Sequence, residues 1–490
     1  MFTMIPSLTK IGPISTLTAR PTLVSVLAAF ALAGCAVGPD YLRPAASLPA
    51  TYAEATAAAT TTANSSQIDA AWWTHFQDPI LNDLVDQALN KNADIRIAIA
   101  RVEQASAAAR ESGAAFFPQI DADVGGSNRK LSTKTATWTA NSPERINSSR
   151  AALTTTYELD VWGRVRRSNE AAQASLLASQ YSRDTIRLTI AGLIAHNYLA
   201  LRAYDAETAV TTESLTSREA SLKLVKTRLD AGLVSPLDLY QAEGALAQLQ
   251  AQAATLRLQR ELSEHQIALL TGNPALTIAV GDLRQLPLPP TPPTDLPSTL
   301  IEARPDIRQA EQNLVAANAG IGIAKAGYFP KFSLTGSLGS ESKTLGDLFS
   351  AGANAWTLGI GALMPILDFG RTSARVDQAK ALNQQSLIVW ENSLQTAFKE
   401  VRDALASLRQ SSTAETAQTA RVASTQKALD ISQRRYAAGY SGYLEVLDAQ
   451  RSSNDALLAL IATRQSRLAA SVDLFKALGG GWKDEPRKAG

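Results

Sequence analysis

Two acidic residues near the C-terminus, Glu445 and Asp448, stand three positions apart, a spacing that puts both carboxylates on one helix face. They follow Gly439 and Gly442, so they fall in the first turns of the helix that begins there, where acids also favour the positive end of the macrodipole. Arg451 offers Asp448 an ordinary ion-pair partner three residues on. On these residues alone, a charge-gathering role and a helix-capping role are both open. The histidines His75, His196 and His265 are scattered, with no metal-ligand spacing. Ser340-Glu341-Ser342-Lys343 fits the Ser-x-x-Lys pattern of acyl-enzymes, but it falls in an expected hairpin loop and lacks the companion motifs. No glycine loop for phosphate appears, so any energy must come from a partner. The expectation is no enzyme, no metal and no soluble cofactor.

The remaining reactive group is Cys35, the only cysteine in 490 residues, which excludes an internal disulfide. Lys10 and Arg20 supply a basic start, Thr22 to Ala33 is a short apolar run, and Leu32-Ala33-Gly34-Cys35 closes it. That pattern resembles a bacterial lipobox: residues 1–34 read as a lipoprotein signal peptide and Cys35 as the lipidated mature N-terminus, beside the alternative of an ordinary signal peptide with a chance cysteine. Ala36 follows rather than Asp, which by resemblance to known lipoproteins implies outer-membrane sorting. Each buried methylene of such a lipid adds about 0.8 kcal/mol of membrane affinity. Without residues 1–34 the chain has 45 basic and 45 acidic residues, which removes bulk charge as an argument for nucleic-acid binding. No later stretch offers the roughly eighteen consecutive apolar residues of a membrane-spanning helix, so any membrane crossing must use strands.

Only 6% of the residues are aromatic, and long Ala/Gln/Leu/Arg/Glu runs indicate extended helix. The chain also repeats itself. Asp94-Ile95-Arg96 returns as Asp306-Ile307-Arg308 and Phe117-Pro118 as Phe329-Pro330; then, at a slightly shorter offset, Gly163-Arg164 returns as Gly370-Arg371 and Ala231-Gly232 as Ala438-Gly439. Each copy reads helix, hairpin, very long helix, tight turn, helix. The first copy places these helices at Ile80 to Gly113, Arg164 to about Asp230, and Pro236 to Thr271; the second at Pro297 to Gly327, Arg371 to Ala438, and Tyr443 to Leu478. A helix of roughly 65 residues would be about 100 Å long. Leu387, Leu394, Val401, Leu408, Val422, Leu429 and Tyr436 share one seven-residue register, as do Ile194, Leu201, Leu215, Leu222 and Leu229, and a strict heptad implies a left-handed coiled coil. Leu447, Ile461, Leu468 and Phe475 continue the pattern, while Glu415 and Asn454 interrupt these stripes. The turn of the first copy has Gly232 as left-handed stop, Ser235 as N-cap, Pro236 at N1 and Asp238 at N3; the second turns at Gly439 and restarts near Gly442.

Within each hairpin the period becomes two. Lys331 to Ser340 puts Phe332, Leu334 and Leu338 opposite Ser333, Thr335 and Ser337, and Trp356 to Met364 alternates likewise. Strands of about ten residues with one apolar face fit a transmembrane barrel, although periodicity alone also fits a soluble hairpin. Four strands per chain are too few to close one, so closure requires several chains. The resulting organisation is signal 1–34, lipidated N-terminal segment 35–79, first copy 80–272, Pro-rich linker 273–296, second copy 297–479 and tail 480–490.

The residues Cys35-Ala36-Val37-Gly38-Pro39-Asp40-Tyr41, Trp72-Trp73 with Phe76, Arg304-Pro305-Asp306-Ile307-Arg308, Phe329-Pro330, Phe369-Gly370-Arg371 and Tyr436 through Arg451 together resemble the TolC superfamily, in its lipid-anchored outer-membrane efflux branch. The resemblance covers essentially the whole chain after the signal. It implies a mixed α and transmembrane β fold: a homotrimer with a twelve-stranded β-barrel, a periplasmic α-helical coiled-coil tube and an equatorial belt. It also implies a periplasmic adaptor and an inner-membrane pump, commonly of the resistance-nodulation-division type, as partners. The same resemblance matches Glu445 and Asp448 to an acidic periplasmic constriction and Tyr436 to a latch, with Ser441 where some members carry a latch arginine. Gln241 is the first-copy counterpart of Asp448, so only one tip carries the full acid pair. A duct for protein secretion and a non-conducting coiled-coil lipoprotein stay open beside small-molecule efflux.

Overall fold

The computed structural model describes residues 36–45, 49, 70–136, 138–291 and 304–482. The signal segment 1–34 and Cys35 lie outside the described residues. In chain order the elements are α1 (Pro79–Lys91), α2 (Ala93–Ala114), β1 (Gln119–Lys130), β2 (Arg145–Leu159), α3 (Arg164–Asp230), α4 (Pro236–Thr271), α5 (Pro305–Ala326), β3 (Lys331–Ser342), β4 (Asn354–Leu363), α6 (Arg371–Ala437) and α7 (Tyr443–Ala477). They fall into two compact units, one from the described residues of Met1–Asp40 with Ser112–Glu170 and Ala319–Ala379, the other from Tyr41–Glu111, Ala171–Asn318 and Lys380–Gly490.

The first unit holds one antiparallel sheet in the order β1-β2-β3-β4, so β2 and β3 join the two hairpins and β1 and β4 are its outer strands. Ala122, Leu153, Leu338 and Trp356 are aligned across the four strands by register, and residues aligned in this way share a face. Ile120, Val124, Leu358 and Ile360 stand on that same face by alternation, and all of these large apolar side chains are exposed. The opposite face carries Asp121, Asp123, Arg150, Thr335, Ser337 and Glu341. β3 runs two residues beyond the expected Ser340, so the Ser340-x-x-Lys343 pattern sits at a strand end rather than in the loop, with Ser340 Oγ 3.4 Å from Asn354. β4 begins and ends one to two residues before the Trp356–Met364 span read from alternation.

In the second unit, Trp72, Phe76, Leu84, Ile194, Tyr198, Ile267, Leu283, Leu468 and Phe475 are buried in one core. The Trp72-Trp73 motif is thus a packing wedge, with Trp72 stacked on Phe475 at 5.6 Å between ring centroids. Both long helices have 67 residues.

One helix span and one heptad differ from expectation. The helix expected over Ile80 to Gly113 breaks at Asn92, whose Oδ1 accepts from the backbone N–H groups of Asp94 (2.8 Å) and Ile95 (3.3 Å) and so starts α2 as a new helix. Its Nδ2 donates to Leu270 O at 2.9 Å, which fastens the break to the end of α4. The helix expected from Pro297 is described only from Pro305; residues 297–303 lie outside the described residues. The heptad of α3 also changes: Ile194 and Leu201 are fully buried, but further along the buried stripe is Thr211, Arg218 and Val225, while Leu215, Leu222 and Leu229 are half-buried. The stripe of α6 holds, with Leu394, Val401, Val422 and Tyr436 buried.

Candidate functional site

The site expected at the helix tips is built from two turns. α3 stops at Gly232 (φ +70°), where Leu233 N–H donates back to Arg228 O at 2.8 Å. Only a residue without a Cβ adopts that φ at no steric cost. Ser235 Oγ then accepts from Leu237 N–H at 3.1 Å, Pro236 occupies the first helical position and Asp238 the first turn of α4, as the residue types require. α6 stops in the same way at Gly439 (φ +80°), with Tyr440 N–H on Arg435 O at 2.9 Å. Gly442 sits at the N-cap of α7 without a side-chain bond, so the acid in the first turn, Glu445, complements that helix end.

The turns are joined by a small core of Val225, Ala242, Tyr436, Tyr443 and Val446. The Tyr436 and Tyr443 rings lie 5.7 Å apart. Arg228, which residue reading did not single out, clamps this core. Its guanidinium covers the Tyr436 ring at 4.5 Å and donates to the carbonyl oxygens of Tyr436 and Ala437, both at 3.0 Å. These carbonyls lie at the end of α6, and Tyr436 O also accepts from Gly439 N–H at 3.0 Å, so a cation there caps a helix that belongs to the other half of the chain. The signal available in sequence was a basic residue in the last turn of α3.

Glu445 and Asp448 are both exposed on α7. Asp448 accepts from Arg451 at 3.1 Å with both side chains about two-thirds exposed, and no partner of Glu445 appears among the described residues. Burial raises the pKa of the Tyr443 hydroxyl, with Tyr436 and Asp238 adding to the effect. The Tyr436 hydroxyl and Ser441 Oγ, the two latch positions implied by resemblance, are buried without a hydrogen-bond partner.

The motif residues away from the tips are fasteners. Arg304 donates to Asp306 (2.6 and 3.0 Å), Glu400 (2.6 Å) and Ala477 O (3.1 Å); burial would weaken it as a base, but these acids outweigh burial and raise its pKa. Asn92 and Arg304, at corresponding places before α2 and α5, each bind a carbonyl at the end of a later helix. Gly38 (φ +115°) lies so close to Gly322 that a Cβ would stand 2.5 Å from its Cα. Burial, with Glu311 beside it, pushes the Tyr41 hydroxyl up to about 12, while Arg43 grips Glu311 at 2.6 and 3.0 Å. Glu415, which breaks the heptad of α6, accepts from Arg464 (2.9 Å) and Arg467 (2.8 Å) on α7. Burial alone would raise its pKa, but the two guanidinium hydrogen bonds hold it below the usual carboxylate range. Asn454 interrupts the stripe of α7 for a similar reason: its buried Oδ1 accepts from Ser214 at 2.9 Å.

The three histidines are apart. His75 stacks on Phe475, His196 Nε2 lies 2.9 Å from Asp473, and His265 is exposed. No group of metal-binding side chains occurs among the described residues.

The family model of outer membrane efflux proteins matches residues 84–273 and 296–480. The chain is 33% identical over 480 residues to the probable efflux pump outer membrane protein TtgC of Pseudomonas putida, covering 96% of this chain and 97% of that one. It is 35% identical over 469 residues to the outer membrane protein OprJ of Pseudomonas aeruginosa, covering 94% and 96%. The crystal structure of the CmeC outer membrane channel of Campylobacter jejuni superposes with a TM-score of 0.84 at 25% identity, over 92% of this chain and 96% of that one. With the exposed apolar sheet and the long helices, these similarities establish that the chain belongs to the outer membrane efflux protein family, whose members are channel components of efflux pumps.

Proposed function

We propose that three copies of this chain form one passive conduit, which carries small molecules from an inner-membrane pump and a periplasmic adaptor to the exterior. Each copy would give four strands to a twelve-stranded barrel, and α3, α4, α6 and α7 would continue as a periplasmic coiled-coil tube. The N-terminal segment and the linker 273–296 would form an equatorial belt. On this reading α2-β1-β2-α3-α4 and α5-β3-β4-α6-α7 are two internal structural repeats.

The observation that carries the proposal is the sheet. β1 and β4 are outer strands, and one face is lined with exposed Ile120, Val124, Leu153, Leu338, Trp356, Leu358 and Ile360. In water that face invites aggregation. In hydrocarbon it is satisfied, but each unpaired edge group costs several kcal/mol. Pairing β1 of one copy with β4 of the next would satisfy the edges while the apolar face meets lipid.

The same threefold arrangement would bring Glu445 and Asp448 around the axis as a cation-attracting constriction. Tyr436, with its hydroxyl buried and without a hydrogen-bond partner among the described residues, would be the latch of that constriction, with Ser441 at the second latch position. The pump partner would be of the resistance-nodulation-division type, and lipid on Cys35 would add a membrane anchor. Planar-bilayer recording of the purified protein tests the conduit: stable conductance is expected, and protein that inserts without conducting would refute it. Cys35→Ser should abolish lipid labelling while leaving insertion in place; label retained on that variant would refute the anchor.

A further inference from the structure

Among α3, α6 and α7 the helical unit has a recess of about 360 Å³, lined by Ser214, Ser217, Arg218, Gln433, Gln450 and Asn454 among others. Arg218 is the unusual wall. It occupies the buried seven-residue stripe between Thr211 and Val225, where packing alone would choose an aliphatic residue, and it is only 7% exposed.

Its guanidinium has five donors, yet it forms no hydrogen bond or ion pair among the described residues. The other buried arginines differ: Arg167 is held by Asp40 and Glu170, Arg202 by Asp205, and Arg304 by Asp306 and Glu400. The acids at the recess do not substitute. Asp430 is engaged by Arg434 at 2.9 Å, and Glu213 is exposed and forms no ion pair with Arg218. The second cation of the lining, Arg284, is closed on Asp282. Burial depresses the basicity of Arg218, and Tyr443 and Asp455 only partly offset it.

A buried unpaired cation is costly unless something pairs with it. The surrounding groups suit a polar guest. Ser217 and Ser221 hydroxyls are gathered by Gln450 Nε2 at 3.5 and 3.0 Å, and Gln450 Oε1 is buried without a donor. A guest with several acceptors for Arg218 and one hydroxyl for Gln450 would pair the cation and satisfy the buried Gln450 Oε1. We propose that this recess binds a small tetrahedral oxyanion of the hydrogen phosphate class, bridging Arg218 of α3 to Gln450 of α7. Gln450 lies five residues beyond Glu445 on the same helix, so occupancy would tie α7 to α3 beside the acid-bearing tip.

Calorimetric titration of the purified full-length protein with inorganic phosphate, at constant ionic strength set by chloride, tests it. Saturable binding is expected, with a higher unfolding temperature in phosphate than in chloride. Arg218→Gln should weaken phosphate binding at least tenfold and abolish the temperature shift. If that variant does not fold, Arg218→Lys, which keeps the charge but loses the fork of donors, should bind several-fold more weakly. Sulfate, which lacks the hydroxyl, should bind more weakly than phosphate, and acetate more weakly still. Three results would each overturn the proposal: no phosphate response in the wild type, equal responses to phosphate and chloride, or undiminished binding in the arginine variants. Loss of oligomer stability in Arg218→Gln with no anion dependence would also overturn it, by assigning Arg218 to a carboxylate of a second copy.

Discussion

Carboxylates in two regions of the helical unit are treated in opposite ways. Asp205, almost wholly buried, accepts from Arg260 at 2.7 Å, Arg202 at 3.1 Å and the backbone N–H of Gly281 at 2.9 Å. Glu415 has two arginines on a neighbouring helix. At the tip, Asp448 has one exposed partner and Glu445 none among the described residues. An acid surrounded by guanidinium groups has nothing left to offer a passing ion, because its charge is cancelled and its lone pairs are taken. An exposed acid beside a second acid keeps its field. The first pattern fastens helices, and the second leaves charge available.

Substitutions should separate the two. Asp205→Asn would leave the buried Arg202, with the half-buried Arg260, against a neutral amide, with an expected loss of about 3–5 kcal/mol, read by denaturant unfolding in detergent. Glu415→Gln should cost less, about 1.5–3 kcal/mol for hydrogen bonds to charged groups. Its pH dependence follows from its depressed pKa. The stabilisation is complete above the unfolded value near 4.5 and is lost as pH falls through the lower folded value, so the variant should lose less stability on acidification than the parent. The combined Glu445→Gln and Asp448→Asn change should move stability least, within about 0.5 kcal/mol. Cation selectivity and block by multivalent cations from the periplasmic side should nonetheless fall, and Asp238→Asn should do less than the pair. If selectivity is unchanged in the double variant, those acids only cap α7 and the comparison fails.

The parts of this molecule legible in the residues were those set by local rules. The two glycine stops, the Ser235-Pro236 start, the period-two strands and the heptad of α6 depend on neighbours a few positions away, and each falls within a residue or two of its expected place. The break at Asn92 was hidden because the apolar spacing runs through it, and only the carbonyl of Leu270, far away in sequence, gives that side chain a reason to cap. Arg228 and Arg218 were hidden for a related cause. A heptad count marks leucines, and in the second half of α3 it marked the half-buried Leu215, Leu222 and Leu229 instead of the buried Thr211, Arg218 and Val225. Which of two overlapping stripes is buried depends on the helix packed against it. The acids of the tip were found by spacing, but their use depends on what stands opposite them, which one chain does not contain.

Closure of the open-edged sheet between copies is tested most directly by the mass of the membrane-extracted assembly. Native mass measurement in detergent, supported by chemical cross-linking, should give three chains per particle and no stable inserted species of one chain. A folded monomer that inserts stably in lipid would contradict the account, because its β1 and β4 edges would then be tolerated in hydrocarbon without a partner.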